Sequence, residues 1–564
     1  MEEDIYEPLV AIPENFNLEE FIQKYPPDDS EIKNFRKDIL LYFMGLITAV
    51  PARNFDLICD SGYIPLSSVL LQKVAHNYLA YIKYLEKYRV IDRLEQFQIA
   101  GMQTMREGEL VTLKGKCMGY KFMPKYQTKV RYVPLTDRAF LKRLAKKSQY
   151  NTDGKDVYPF LHRWFREQKL NIDMEGAEKF FRQYLGITGN GFPDEKARVK
   201  FNAYLHPLRM LQEGKGNFTF TVDETGRRLH NPFTFLKKEA KPFITWGKDK
   251  KKLVSLDGKN FQPYLLLGLL NGNLYGLDAE FTGILKDLKL ALQERPSAAD
   301  RKLIFKSFKG AAKAFWERYS ISNNLKSSSK RSTKVVPMSF NTPFSLKCLT
   351  KEYLKVMEHI FFNKSFQMSS NSSSSIMLVN IFGNTLEGTD IEDINLYRQG
   401  VTESTFYPFL KKKFEEELGI QYVNMKDFKE DLMAVFYSKL KCGTYIRDRK
   451  KVFAKYFPHV VGFLDLLKSK NFLEKESYKL PVILLQRLEA HLMLDRVGRR
   501  IASRNPNLPI FSIHDNWVTI EGYEDFVEKI MLEEITKCIG FAPKIQRDRW
   551  ENKAIKAVLE ITPY

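Results

Sequence analysis

Two periods of hydrophobicity run along this chain, and the places where one gives way to the other outline its elements. The stretch DILLYFMGLITAV (Asp38 to Val50) is apolar enough for a buried helix. Between Leu66 and Ile91, the residues Leu70, Val74, Tyr78, Ile82 and Leu85 recur at helical spacing. Two β-rich pieces follow, Glu109 to Phe122 and Thr128 to Leu135, with Gly-Lys turns between them. Residues 136–215 are expected to be helical and basic, as in Arg138 to Tyr150 and His162 to Leu170. The glycines of GITGNGFP (Gly186 to Pro193) mark a turn and not a phosphate loop, because no strand precedes them and Pro193 follows.

Further along, KKLVSLDGKNFQPYLLLGLL (Lys251 to Leu270) is a short apolar strand ending at Asp257, then an apolar helix or turn from Gln262 and Pro263. Two Ser/Asn-rich stretches, Ser320 to Lys334 and Gln367 to Met377, suit linkers or exposed loops. Met425 opens a helical pattern in which Met425, Lys429, Met433 and Tyr437 share one face. The run Arg447 to Lys451 reads as a solvated face or a backbone contact. Near the end, an apolar strand (Pro509 to Ile513) meets His514-Asp515-Asn516, a second strand (Trp517 to Ile520) follows at once, and a helix (Tyr523 to Glu534) packs back. A tight hairpin with an acidic tip projects its charge off the sheet. Asp-Asn also favours turns for backbone reasons alone. At the start of the chain, two helices and a basic β-hairpin fit a winged helix, and equally another small α+β module.

Composition narrows the classes. The 564 residues are 44% apolar and 28% charged, a soluble globular balance with room for several domains. Lys and Arg number 89 against 68 Asp and Glu, a net charge of +21 that favours a polyanionic partner through counterion release. Five scattered cysteines form no CxxC pair, so neither a zinc ribbon nor a disulfide framework is indicated, and a cytoplasmic location is expected. The opening MEEDIYEPLV lacks the pattern of a secretory leader, and no run approaches the ~18 apolar residues of a membrane span.

Candidate chemistry sits at three of these segments. A carboxylate at the end of a buried strand, such as Asp257, reaches the rim of a sheet where a metal can bind. Asp515 has the same standing at its hairpin tip. Lys429 suits a triphosphate as a point charge, and Tyr437, two turns on, suits stacking against a base or sugar. Each has a plain structural reading too: a strand-ending Asp, an Asp-Asn turn, a Lys snorkelling beside core Met and Tyr.

In this order the three segments resemble motifs A, B and C of the family A DNA polymerases, which are shared with phage-type single-subunit RNA polymerases. Ahead of motif A, Gly226, Arg228 and Leu229 are similar to the family's Thr-x-x-Gly-Arg-Leu element, and Gln486 stands where the family has a primer-template Gln. The tail Gly540 to Trp550 resembles the closing strand of the palm. The likeness covers roughly residues 220–564. It implies an α+β, right-hand polymerase fold with an antiparallel palm sheet, helical fingers and thumb, after an N-terminal α+β module. The implied division is 1–135 for that module, 136–219 for a basic thumb-like region, 220–290 and 480–564 for the palm, 291–394 for an insertion and 395–479 for the fingers.

The resemblance also implies roles. Asp257 and Asp515, with the Gly258 carbonyl, would hold two Mg2+ ions. Lys429 would bind the triphosphate and act as general acid. Tyr437, Met433 and Gln262 would line the nucleotide site, and Arg228, Gln486 and His514 would touch primer-template DNA. Departures are Met425 in place of an Arg, with Lys426 as a substitute, and Met433 in place of a ring-bearing residue. Gln262, nearly isosteric with the Glu that blocks a 2′-hydroxyl in the DNA enzymes, tilts the expectation toward dNTPs. Gly258 and Met433 lean toward RNA synthesis. The expected protein is a monomeric DNA polymerase of a phage or plasmid, with replication accessory proteins as further partners. The alternatives are a single-subunit RNA polymerase or primase-like enzyme, and an inactive DNA-binding replication initiator. No convincing Asp-x-Glu exonuclease set precedes the palm, so proofreading is not expected.

Overall fold

The structure, a computed structural model, describes residues 8–94, 103–106, 109–112, 117–147, 151–189, 191–213, 220–270, 392–468 and 477–551. The insertion expected over 291–394, with both Ser/Asn-rich stretches, lies outside the described residues except for its last three. The described chain is mixed α+β with antiparallel sheets, built around two hydrophobic cores.

The first core belongs to the N-terminal module. Strand β1 (Leu9–Pro13) pairs antiparallel with the later β7 (Val130–Pro134), closing the module on itself. Helix α1 (Lys37–Arg53) is the apolar stretch expected from the sequence, and it buries Leu40, Phe43, Met44 and Ile47. Strand β2 (Ile64–Pro65) leads into helices α2 (Ser68–Val74) and α3 (Tyr78–Lys87). Tyr81, Ile82, Tyr84 and Leu85 turn one face of α3 inward. Strand β3 (Ile91–Leu94), the hairpin β4 (Gln103–Arg106) and β5 (Glu109–Thr112), and β6 (Gly119–Phe122) follow. The small sheet has the order β2-β6-β3.

The expectation of a helical stretch over 136–215 holds only in part. Strands β8 (Asn151–Asp153) and β9 (Leu170–Ile172) interrupt it. Three residues are too few to show a period of two, and pairing with a distant strand makes β9 extended. Helix α4 (Glu195–Glu213) then links the cores, with Val199 in the first and Phe201, Leu205 and Leu208 in the second. Arg198, 1% exposed, is neutralised on the same helix by Glu195, with both contacts at 2.6 Å.

Strands β10 (Thr221–Asp223) and β11 (Leu229–His230) extend β8 into a three-stranded sheet. Next come β12 (Ile244–Trp246) and β13 (Lys251–Gly258) of the main sheet. In β13, Leu253 to Leu256 are all buried, so this strand is covered on both faces. It runs straight into α5 (Phe261–Leu270), which is apolar all round and wholly internal apart from Gln262.

Beyond the insertion, helix α6 (Met425–Tyr437) starts where the sequence pattern starts. Its N-cap is Asn424, which accepts from the Asp427 N–H at 3.0 Å. Helix α7 (Thr444–Tyr456) packs on it. Here the run Arg447 to Lys451 departs from a solvated face: Arg449 is buried against Asp431, and Lys450 pairs with buried Asp465 at 2.6 Å. Helix α8 (Leu480–Ala490) continues through a π-helical segment, His491–Gly498, into Arg499–Arg504. The chain ends with β14 (Ile510–Ile513), β15 (Asn516–Ile520), α9 (Glu524–Ile539) and β16 (Ile545–Arg549). The main sheet has the order β14-β15-β13-β12-β9, and β16 also pairs with β13. No helix among the described residues is long and apolar enough to cross a membrane.

Candidate active site

The antiparallel ladder between β13 and β15 places the two candidate carboxylates together. Asp257 stands opposite Asn516, and the Gly258 N–H reaches the Asp515 carbonyl at 3.4 Å. Strands β14 and β15 pair from Ile513 and Asn516 outward, so His514 and Asp515 form the two-residue turn, with His514 at φ +55°. Asp257 and Asp515 are both half-buried.

Their electrostatics are those of a crowded acidic pair. Burial pushes the Asp515 carboxyl well above its ordinary range, and the charges of Asp257 and Glu489 push it further. Asp257 is also raised by burial, and Asp548 and Glu489 add to this while Lys241 and Lys429 oppose it. Two adjacent hard oxygen donors whose negative charge is expensive to keep suit a divalent cation such as Mg2+. Among the described residues, no group of three or more His, Cys, Asp or Glu forms a metal cage.

Lys429, exposed on α6, lies over the Tyr407 ring with Nζ 4.6 Å from its centroid, within electrostatic reach of Asp257. Tyr407 in turn feels the charge of Asp515, and burial raises its hydroxyl above the usual range. The Tyr437 hydroxyl donates to Gln262 Oε1 at 3.2 Å. Gln262 Nε2 donates to Glu489 Oε2 at 2.5 Å. Glu489, 2% exposed, accepts from Arg228 Nε and Nη2, both at 2.8 Å. Arg228, Glu489, Gln262 and Tyr437 thus form one chain of hydrogen bonds linking four separate segments. Met433 is packed against the main core on the same helix as Lys429 and Tyr437.

The turn carrying Arg228 is itself fixed. Asp223 accepts from the Gly226 N–H at 2.6 Å and the Arg228 N–H at 3.0 Å. Burial would raise this carboxyl, but His230 and those N–H groups hold it down to about 2. A Cβ at Gly226 would lie 2.7 Å from Gln486 Oε1, so the glycine is what lets Gln486 close on the turn. His514 lines a small cleft with Arg228, Leu229, Glu489 and Ser512. Burial drops its ring to about 4, helped by Arg228 and His230, so the imidazole is neutral.

The fold therefore gathers Asp257, Gly258, Asp515, Lys429, Tyr437, Gln262, Arg228, Gln486 and His514 from five stretches of chain around one place. Sequence reasoning missed Glu489, Tyr407 and Lys241. The one signal for Glu489 is a lone acidic residue in the apolar helix LLQRLEAHLML, three positions after Gln486. Lys241, its charge lowered in pKa by burial, faces Asp257 and Asp548 from the segment before β12.

No protein-family model matches the chain, and no curated protein is similar to it in sequence. Among solved structures, it is similar to the POL domain of Pol1 from M. smegmatis in complex with DNA primer-template and dNTP. The identity is 11% over 66% of this chain and 56% of that one, with a TM-score of 0.21. A likeness this weak establishes neither family nor activity.

Proposed function

We propose that the chain is a template-directed DNA polymerase of right-hand architecture. The observation that carries this reading is the meeting of Asp257 and Asp515, 258 residues apart in sequence, with Lys429 facing them from a separate helix. In this reading the main sheet is the palm and the helices of 392–468 are the fingers. Residues 136–219 are thumb-like except for β9, which belongs to the palm sheet.

Asp257 and Asp515, with the Gly258 carbonyl, would hold two Mg2+ ions, which when bound lower the pKa of the primer 3′-hydroxyl and neutralise the leaving pyrophosphate. Lys429 steadies the triphosphate and donates a proton as pyrophosphate departs. Gln262 stands where a ribose 2′-hydroxyl would come. Glu489 takes the amide N–H2 of Gln262, which turns Oε1 toward Tyr437 and leaves the side chain in one orientation. A group held this way resists displacement by an extra hydroxyl. Arg228, with two of its donors on Glu489, keeps Nη1 for the primer strand. Neutral His514 offers the primer terminus an apolar face and a ring nitrogen.

The second reading, ribonucleotide synthesis, rests on Met433 between Lys429 and Tyr437. One experiment separates the readings: primed and unprimed templates are incubated with Mg2+ and either dNTPs or NTPs, and the products are sized. Primer-dependent extension with dNTPs is expected. Products from NTPs alone would favour the second reading, and DNA binding without synthesis with either set would reject both.

A further inference from the structure

The N-terminal module has a surface that the catalytic site does not use. Helices α2 and α3 are joined by three residues, Ala75, His76 and Asn77, and α3 packs against α1. Two helices joined by so short a turn on a third helix have the connectivity of a helix-turn-helix, in which the second helix enters a DNA groove. The second helix packs on β3 of the small sheet β2-β6-β3, and the hairpin β4–β5 comes in sequence between β3 and β6.

The chemistry of the exposed face agrees. The buried side of α3 is Tyr81, Ile82, Tyr84 and Leu85. Its solvent side carries Leu79, Lys83 and Lys87 at intervals of four, with His76 and Asn77 at the turn and Arg89 just beyond. Lys73 is exposed on α2. Lys87 is taken by Glu31 at 2.7 Å, whereas Lys73, Lys83 and Arg89 make no ion pair among the described residues. Charge is also divided along the module. Residues 1–65 hold 13 Asp and Glu against five Lys and Arg, whereas residues 66–130 hold five against 11. The two helices lie in the basic half of the module's sequence, a composition that favours a polyanionic partner.

We propose that the α2–α3 face is a docking site for double-stranded DNA, separate from the palm. Helix α3 lies in the major groove with Leu79 and Asn77 toward base edges, and Lys73, Lys83 and Arg89 meet phosphates. Such a module would hold the enzyme on duplex next to the site of synthesis.

The test uses the full chain and a closed DNA dumbbell, which offers duplex but no 3′-end for the palm. The triple variant Lys73→Ala, Lys83→Ala, Arg89→Ala changes only exposed side chains. Its dumbbell affinity at 0.1 M salt should fall about tenfold or more, and the slope of log K against log salt should shrink by about 2 to 3. Extension of a short primed template at saturating concentration should stay at the wild-type rate. Unchanged affinity and slope would overturn the proposal. An equal fold-loss on a single-stranded circle would overturn the duplex assignment. Failure of the wild-type chain to bind the dumbbell would leave the face to a protein partner and overturn it as well. These readouts do not depend on catalysis, so an inactive but dumbbell-binding protein would count against the polymerase reading alone.

Discussion

Replacing Asp515 with Asn should destroy activity and stabilise the metal-free protein, two effects that share one cause. Asp515 sits at the tip of the β14–β15 turn beside Asp257, and burial with a neighbouring negative charge already disfavours its ionised form. Side chains on adjacent strands lie roughly 5 Å apart when directly opposite and roughly 7 Å when diagonal, and Asp257, opposite Asn516, falls between these with Asp515 at about 6 Å. At an effective dielectric of about 20, two carboxylates at that distance repel by about 3 kcal/mol. Lys241 and Lys429 offset part of this at Asp257, so a net gain of about 1 kcal/mol is expected for Asp515→Asn without Mg2+. Most substitutions at half-buried polar positions act in the opposite direction.

Three measurements carry the test. Apparent melting temperature without Mg2+ should rise by about 2 °C. Mg2+ should raise the melting temperature of the wild-type chain, since a ligand bound only by the folded state stabilises it, and should raise that of the variant much less. Single-turnover primer extension should fall at least about a thousandfold, equivalent to about 4 kcal/mol of transition-state stabilisation. Affinity for primer-template should be unchanged or slightly tighter, because the substitution removes a negative charge from the surface proposed to face DNA. Extension at the wild-type rate would refute the two-metal assignment. A lower melting temperature with the Mg2+ response intact would refute the electrostatic account of the pair.

Two further outcomes follow from individual contacts. Gln262→Ala removes the side chain held between Tyr437 and Glu489, and the ratio of ribonucleotide to deoxynucleotide incorporation should rise at least about tenfold on the steric logic of a one-hydroxyl discrimination, measured by competing dNTP and NTP in primer extension; an unchanged ratio would sink the gate. His206, hydrogen-bonded to Tyr132 at 2.8 Å, is pulled by burial and by Arg53 from near 6.5 to about 4 in the fold, so the unfolded chain binds the extra proton between those values. Its contribution is complete above pH 6.5 and is lost as pH falls toward 4, by up to about 3 kcal/mol, and His206→Asn should flatten that part of the denaturation profile.

The residues that could be found in the sequence are those whose role is written into their neighbours. The His514-Asp515 turn stands between two short apolar strands, and turn chemistry places it without knowledge of anything distant. Helix α6 announces itself through a four-residue repeat, so Lys429 and Tyr437 came with a face attached. Glu489 had no such context. Its importance comes from Arg228, 261 positions earlier, and Gln262, 227 positions earlier, and no local pattern encodes a partner at that range. Strands β2 and β9 failed for a related reason, since two or three residues show no period and are extended only because β6 and β12 lie beside them. The same division separates the proposed catalytic pair from the contacts around it. Asp257 and Asp515 need only be at the ends of their strands for the sheet to join them. The orientation of Gln262, and with it the sugar choice proposed for this site, depends on Glu489, a buried carboxylate that becomes visible only when the chain has closed around it.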